Sequence, residues 1–332
     1  MARQLEAKGK KISIVIPVLN SERVLGECLR SILTQDCPRE RFEIIAVDGG
    51  STDRTVEVAQ TFGVDRVLRN PLRTGEAGKA VGAEAARNEI IAFVDSDNIL
   101  DRRDWLRRML EPFEDPSIVG ADTLYYTHRQ GDPLITRYCA LIGSNDPLCV
   151  YLGNFDRYCH FKGTWTEMSV RTEDRVGYLK MLMEEMDVPG MGADGFLVRA
   201  EALKDIDYKP FYFDIDVVHQ FVVAGKHLAK VKIGIVHLFA NNIRVFIRKT
   251  YRRINDYLYF DKLGMRKYPW KRLNRIKLLK FILYNLLLVP LIWDLNKGYK
   301  KVPDKAWLFH PIACWIVLLT YGVTYVVNQL GG

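Results

Sequence analysis

Ile90-Ile-Ala-Phe-Val-Asp-Ser-Asp-Asn98 carries an apolar run straight into two aspartates one residue apart, Asp95 and Asp97. A short continuous apolar run reads as a strand buried on both faces. Its carboxylates then sit where that strand ends. In an open α/β sheet the ligand crevice lies just beyond the carboxyl ends of the strands. Two carboxylates there repel each other and are costly to desolvate. A divalent cation that prefers oxygen ligands offsets both problems. The competing reading of a lone Asp-x-Asp is a polar turn with solvated aspartates.

Working outward, residues 11–19 are rich in β-branched residues and predict a first strand. Asn20 or Ser21 can cap a helix running to about Thr34. Residues 42–47 predict a second strand ending at Asp48, followed by the turn Gly49-Gly-Ser-Thr-Asp53 and a second helix to about Phe62. A short strand at 65–68 and an Ala-rich helix at 75–89 lead into the Ile90 strand. The pattern is β-α-β-α-β-α-β, an α/β arrangement with a parallel sheet and helices on both faces. Further on, residues 104–113 predict a helix, 118–125 a strand, 192–199 a turn and strand, 215–224 a helix and 230–236 a strand. Residues 127–189 mix aromatics, charges and glycines. They read as helices and loops forming one wall of the cleft, or as an insertion with its own small core.

The chain has 332 residues, 48% hydrophobic and 27% charged, so it is not broadly disordered. Its net charge of +8 suits nucleic acid, a membrane surface or an anionic substrate. The densest basic stretch, 244–280, directly precedes an apolar segment, which favours a membrane surface with anionic headgroups. No zinc-finger spacing or RNA-binding signature accompanies it, so nucleic acid is not an expected partner. The six cysteines are scattered without a Cys-x-x-Cys pair, which fits a reducing compartment. Residues 1–11 are charged and lack an apolar signal core, placing the N-terminal part in the cytosol.

The first β-α turn has no Gly-x-Gly-x-x-Gly, which argues against a dehydrogenase-type dinucleotide site. Gly75-Glu-Ala-Gly-Lys79 lacks the spacing and the hydroxyl residue of a P-loop. Lys79 is either a diphosphate contact or a solvated helix lysine.

Four separated patterns then resemble one family. Pro17-Val-Leu-Asn-Ser-Glu22, Asp48-Gly-Gly-Ser-Thr-Asp53, Asp95-Ser-Asp97 and Phe213-Asp-Ile-Asp216, the last followed by Ala224-Gly225, resemble the motifs of family 2 glycosyltransferases in order and spacing. The resemblance implies a GT-A fold, Rossmann-like with a mostly parallel sheet. It implies that Pro17, Leu19, Glu22 and Asp48 line the base and ribose of a nucleotide-sugar, with Lys79 and Ser96 also on the donor. Asp95 and Asp97 would hold Mn2+ or Mg2+ against the donor diphosphate, and Asp214 would be the general base. His237, after the last strand, is a further metal ligand, a phosphate contact or a structural histidine. Three departures matter. Gly49 stands where many members have a second aspartate, and Phe213 where polymerising members have glutamate. The Gln-x-x-Arg-Trp motif is missing. Arg248 and Arg252 lie roughly where it would be and could supply cations for the diphosphate, or face lipid phosphates or water. Its absence favours one sugar per encounter.

Residues 242–262 set apolar residues among arginines and tyrosines, the pattern of a helix lying in a membrane interface or packed on a domain surface. Residues 278–295 and 307–327 are apolar runs; a span needs about 20 residues, so the second qualifies and the first is marginal. Arg266, Lys267, Lys271, Arg272, Arg275, Lys277 and Lys280 precede the first run, and place the enzyme on the cytosolic side. The expected organisation is a catalytic domain over 1–240, a basic amphipathic interface segment over 241–277 and a two-helix transmembrane hairpin over 278–329.

The expected function is inverting, metal-dependent transfer of one sugar from a nucleotide-sugar to a polyprenyl-linked acceptor at the cytosolic membrane face. The resemblance is nearest to polyprenyl-phosphate mannose synthases and cellulose-synthase-like mannosyltransferases, which implies GDP-mannose and a dolichol-type lipid in N-glycan precursor assembly. The alternatives are a polyprenyl-phosphate synthase using a UDP-sugar, a small processive polysaccharide synthase, and a catalytically inactive membrane scaffold with the same fold.

Overall fold

The computed structural model describes residues 10–185, 187–269 and 274–330. Residues 1–9 of the charged N-terminus, and Lys271 and Arg272 of the basic run, lie outside the described residues. The chain divides into two compact units. One comprises Met1–Thr123, Val170–Met186 and Gly192–Ile235; the other comprises Leu124–Ser169, Asp187–Met191 and Val236–Gly332.

In chain order the elements begin β1 (Ile12–Val18), α1 (Leu25–Leu33), β2 (Phe42–Asp48), α2 (Thr55–Thr61), β3 (Arg66–Arg69), α3 (Gly75–Ala85), β4 (Ile90–Phe93) and β5 (Asn98–Ile99). They continue with α4 (Trp105–Leu110), β6 (Ile118–Tyr126), α5 (Leu134–Ile142), α6 (Pro147–Leu152), β7 (Arg171–Asp174), β8 (Tyr178–Leu182), β9 (Phe196–Arg199), α7 (Asp214–Val223) and β10 (His227–His237). The last four are α8 (Ile243–Lys262), α9 (Arg275–Leu287), α10 (Val289–Lys301) and α11 (His310–Leu330).

The sheet runs β3-β2-β1-β4-β9-β6-β10-β8-β7, with β5 against β10. It is mixed. β3, β2, β1 and β4 are parallel, as the alternation of strands and helices dictates. β9 joins antiparallel to both β4 and β6. β1 and β4 are interior strands with mostly apolar side chains on both faces, and every residue of β4 is buried. The β7–β8 hairpin was not legible in residues 127–189. All four residues of β7 are exposed, so Arg-Thr-Glu-Asp shows no apolar alternation.

One local expectation is corrected. α1 starts at Leu25 with Val24 at its N-cap, so neither Asn20 nor Ser21 caps it. Asn20 instead adopts φ +51° and accepts the Thr52 backbone N–H, while the Ser21 carbonyl accepts from Val24 and Leu25. α3 is rich in glycine and alanine because it lies close on β1. A Cβ added at Gly82 would sit 2.2 Å from Val15 Cγ1.

The second unit has its own apolar core. Tyr138, Leu141, Val150, Phe155 and Phe161 pack with Phe246, Phe281, Leu291, Trp307 and Val317. Residues 124–169 thus share a core with the C-terminal helices. Inside it, His310 bridges the hydroxyls of Tyr138 (2.9 Å) and Tyr151 (3.0 Å), and Tyr151 donates to Asp294 (2.7 Å).

The two-helix hairpin expected over 278–329 is corrected here. The first apolar run is not one straight span. It breaks at Leu288, which has φ +59°, and α9 and α10 meet there at 93°. Pro290, in the first turn of α10, lacks the N–H that a continuous helix would donate to the Leu286 carbonyl, so α9 does not run on through it. The polar residues within the run turn inward: Asn285 is fully buried and Asp294 is the acceptor for Tyr151. The second run is continuous. Lys305–Asn328 is long and apolar enough to cross a membrane, with Ala313, Cys314 and Val317 buried and Leu319, Val323 and Val326 exposed.

Gly82→Ala should lower stability by about 1–3 kcal/mol, because the methyl group forces α3 away from the rigid, β-branched Val15. Thermal unfolding followed by circular dichroism would test this. An unchanged melting temperature would show that β1 and α3 are not in tight contact.

Candidate active site

The parallel register lines up three strand ends in the first unit. Val18 lies opposite Asp48. Val15 lies opposite Phe93, and continuing that register two residues sets Pro17 beside Asp95. Asp48, Pro17 and Asp95 therefore form a row at the carboxyl edge of β2, β1 and β4.

The loops after β1 and β2 are tied together. Asp48 accepts from the Ser51 hydroxyl (2.6 Å) and from the backbone N–H groups of Ser51 and Gly50; Gly50 has φ +88°. Glu22 accepts the Arg54 N–H (3.0 Å), and Asp53 accepts the Glu22 N–H (3.2 Å). Ser21 and Ser96 share a hydrogen bond of 2.9 Å, linking this loop pair to the Asp95–Asp97 turn. Leu19 is exposed beside them. Glu22, Asp48 and Ser96 are thus held by fixed hydrogen bonds rather than projecting as solvated chains.

Lys79 is neither exposed nor a solvated helix lysine. It is buried, and its ammonium donates to both carboxylate oxygens of Asp214 at 2.9 and 3.0 Å. Asp95 Oδ1 lies 3.7 Å away on its other side. Thr74 caps α3 by accepting from Ala77 and so fixes the turn that carries Lys79. Asp214 is the first residue of α7, whose N-cap is Phe213. Burial pushes the Asp214 carboxyl up to about 7; Lys79 opposes the shift, and Asp95 and Glu76 add to it. A quarter of the Asp214 side chain remains exposed. Lys79 is held above the usual lysine range. Burial works against its charge, and Asp214, Asp95 and Asp194 more than compensate.

The Asp95–Asp97 turn is closed twice by Asn98. Its backbone N–H donates to the Asp95 carbonyl, and its side-chain oxygen accepts the Asp95 N–H, both at 2.9 Å. The buried Cys28 thiol lies under this turn, and burial, then Asp97 and Asp95, push it up. Among the described residues no three His, Cys, Asp or Glu side chains gather as a metal cluster. Two hard carboxylates in a negative field still fit Mg2+ or Mn2+, which are commonly held by one or two carboxylates together with substrate phosphates.

Sequence reasoning missed Asp194. The Gly192-Ala-Asp-Gly195 stretch reads as a plain turn, yet Asp194 is buried at φ +53° and accepts from Asn98 Nδ2 at 3.0 Å. The glycines on either side of an aspartate just before a strand were the available signal.

Three expected residues belong to the second unit. His237 receives a hydrogen bond from Asn145 (3.2 Å) and packs against the rings of Tyr126 and Phe239. Arg248 and Arg252 are exposed on α8, and Arg252 lies 3.8 Å from Asp256.

A profile of the family described as Glycosyl transferase family 2 matches residues 13–206, more than half of the chain. The poly(ribitol-phosphate) beta-glucosyltransferase of Bacillus spizizenii is 38% identical over 103 residues, covering 29% of this chain and 16% of that protein. A dolichyl N-acetyl-alpha-D-glucosaminyl phosphate 3-beta-D-2,3-diacetamido-2,3-dideoxy-beta-D-glucuronosyltransferase of Methanococcus voltae is 31% identical over 122 residues, covering 33% and 37%. The chain spans less than half the length of these relatives. Among solved structures, a mannosyltransferase from Pyrobaculum calidifontis in complex with GDP-Man and Mn2+ shares the fold. The TM-score is 0.54 at 15% identity, covering 97% of this chain and 89% of that one. The chain belongs to glycosyl transferase family 2.

Proposed function

We propose that this protein is an inverting, metal-dependent glycosyltransferase that moves one sugar from a nucleotide-sugar to a polyprenyl-linked acceptor at the cytosolic face of a membrane. The observation that carries the reading is the buried Lys79, held between Asp214 and Asp95 at the end of the parallel strands. That arrangement sets a carboxylate with a raised pKa beside a second carboxylate and one cation, which suits general-base chemistry next to an anionic leaving group.

Each residue then has a task. Asp48 and Glu22 would accept from ring N–H and ribose hydroxyl donors, with Pro17, Leu19 and Ser96 alongside. Asp95 and Asp97 would hold the ion. When bound, it supplies charge neutralisation for the departing diphosphate. Asp214 takes the proton of the acceptor hydroxyl, and Lys79 favours its ionised form. His237, Arg248 and Arg252 are reserved for phosphate groups of donor or acceptor, and His237 also for the ion.

GDP-mannose is the favoured donor and a dolichol-type carrier in N-glycan precursor assembly the favoured acceptor. Support comes from the GDP-Man in the Pyrobaculum complex and the lipid-linked substrate named for the Methanococcus relative. A transfer from GDP-mannose, and not from UDP-glucose or UDP-GlcNAc, in a donor screen with Mn2+ and lipid extract would support this choice.

The roles along the chain are catalysis in 1–240, interface binding in 241–277 and membrane anchoring in 278–329; the two structural units cut across that division. α8 supports the middle role. Its exposed face carries Ile243, Ile247, Tyr251 and Tyr259 four or eight residues apart, beside Arg244, Arg248 and Arg252. An apolar stripe beside a basic one suits a surface of anionic lipid. α9 and α10 expose Leu279, Leu283, Leu286, Val289 and Trp293, which extends the apolar area.

Asp97→Ala, or excess EDTA with the unaltered protein, should abolish transfer. Transfer that persists under both conditions would remove the metal from the mechanism. Asp214→Asn should lower kcat by about 10²–10⁴-fold; near-normal turnover would instead identify an already ionised lipid phosphate as the acceptor.

The pH dependence follows from the raised Asp214 pKa. Protonation below about 7 removes the base, so kcat/KM should fall as pH drops through that value. Lys79→Met removes the opposing cation and should move this limb to higher pH; a limb that stays in place would separate Lys79 from Asp214 titration.

Replacing Arg244, Arg248 and Arg252 together with glutamine should weaken binding of the detergent-solubilised chain to phosphatidylglycerol vesicles, by about 1 kcal/mol per arginine. Equal loss on phosphatidylcholine vesicles would refute a charge-based interface.

A further inference from the structure

The geometry points to Asp194 as a positioning residue that ties the Asp95–Asp97 turn to the base-bearing end of α7. This inference rests on the proposed reaction for its consequence, but the tie itself is a matter of geometry.

The tie begins in the sheet. β9 runs antiparallel to β4, with Phe93 opposite Phe196. The Gly195 N–H still reaches the Phe93 carbonyl at 3.0 Å, one residue out of that register. Asp194 (φ +53°) and Gly195 (φ +88°) leave the extended strand there. Asn98 joins this loop to the Asp95–Asp97 turn. Its amide accepts the Asp95 N–H through oxygen and donates to Asp194 through nitrogen. An asparagine can do both at once because it carries an acceptor and two donors on one rigid group. Asn98 is fully buried, so water does not substitute for either bond.

The other end of the loop reaches α7. Gly192 has φ +108°, and a Cβ there would sit 2.9 Å from the Asp214 carbonyl oxygen. The glycine therefore lets the loop lie directly on the first residue of α7. Beneath it, the Gly192 N–H points to Asp122 Oδ2 at 3.4 Å, and Asp122 is paired with Lys230 at 3.1 Å, both side chains fully buried. Three consecutive anchors thus hold residues 192–195: a buried ion pair, the β4 ladder and Asn98. The loop leaves little slack between the carboxylates that would bind the ion and the one that would take the proton. A separation fixed in this way matters because small displacements of catalytic groups are expensive.

The test compares Asp194→Ala, Asp194→Asn and Asn98→Ala in the full-length protein, without ligand, by hydrogen exchange. Asp194→Ala should speed exchange in 95–98 as well as in 192–195, and Asn98→Ala should do the same in the reverse direction. Asp194→Asn retains an oxygen acceptor and should restore the unaltered pattern. Exchange changes confined to the substituted segment would overturn the tie, whatever the reaction. A second readout follows from the proposed chemistry. Titration of Mn2+ with UDP or GDP by calorimetry should show affinity falling about 10-fold or more in Asp194→Ala, with little change in Asp194→Asn. Coupled exchange with unchanged Mn2+ affinity would keep the tie and overturn its link to metal binding. If the unaltered protein binds no Mn2+ with either nucleotide, the functional reading fails while the exchange result still decides the tie. A severe fall in melting temperature for Asn98→Ala alone would leave the two Asp194 variants to decide.

Discussion

The ion pair between Lys79 and Asp214 sets the terms for the rest of the first unit. A buried cation and a mostly buried carboxylate are tolerable only at hydrogen-bonding distance. Bringing them together over a separation of 135 residues requires α3 and α7 to converge at one sheet edge. α3 meets that demand with small residues. A Cβ at Gly78 would lie 3.0 Å from Pro17 Cβ, and one at Gly82 would overlap Val15. The helix can therefore lie close enough to β1 to aim a full-length lysine inward. Its sparse apolar content is a consequence of proximity rather than of exposure.

The same edge concentrates negative charge. Asp95, Asp194 and Asp214 all act on Lys79, and Asp95 and Asp97 act on Cys28. One ammonium does not neutralise this set. The excess is bearable because the site keeps partial access to water and because each loop has its own hydrogen bonds. Such a field repels a bare diphosphate and welcomes one that arrives with a divalent cation, which is a physical reason for metal and donor to bind together.

Much of this was legible in the sequence. Apolar strands ending in Asp48 and Asp95 gave the parallel half of the sheet, because burial on both faces leaves an unbroken apolar run. The candidate base fell at the start of α7, where a helix signal could be seen. The partner of that base could not be seen. Lys79 sits in an Ala/Gly-rich helix whose pattern says nothing about which acid it meets. Asp194 was hidden for another reason: the nearby glycines signal a turn, and only the folded chain shows that the turn meets Asn98. The β7–β8 hairpin lacks apolar alternation, and the right-angle break at Leu288 lies within an apolar run that hydropathy alone reads as continuous.

The antiparallel pairing of β4 with β9 has an outcome for how this protein can vary. Side chains along a strand alternate between faces, so a slip of one residue exchanges the two faces. A single insertion or deletion between Asp194 and Arg199 would draw Asp194 away from Asn98 and turn the Phe196–Val198 side chains out of the core. The exposed tip between β7 and β8, where Val176 stands fully in solvent, is under no such restriction. Length changes among natural variants should therefore collect at that tip and avoid the short segment from Gly192 to Arg199, even where the residue types themselves drift.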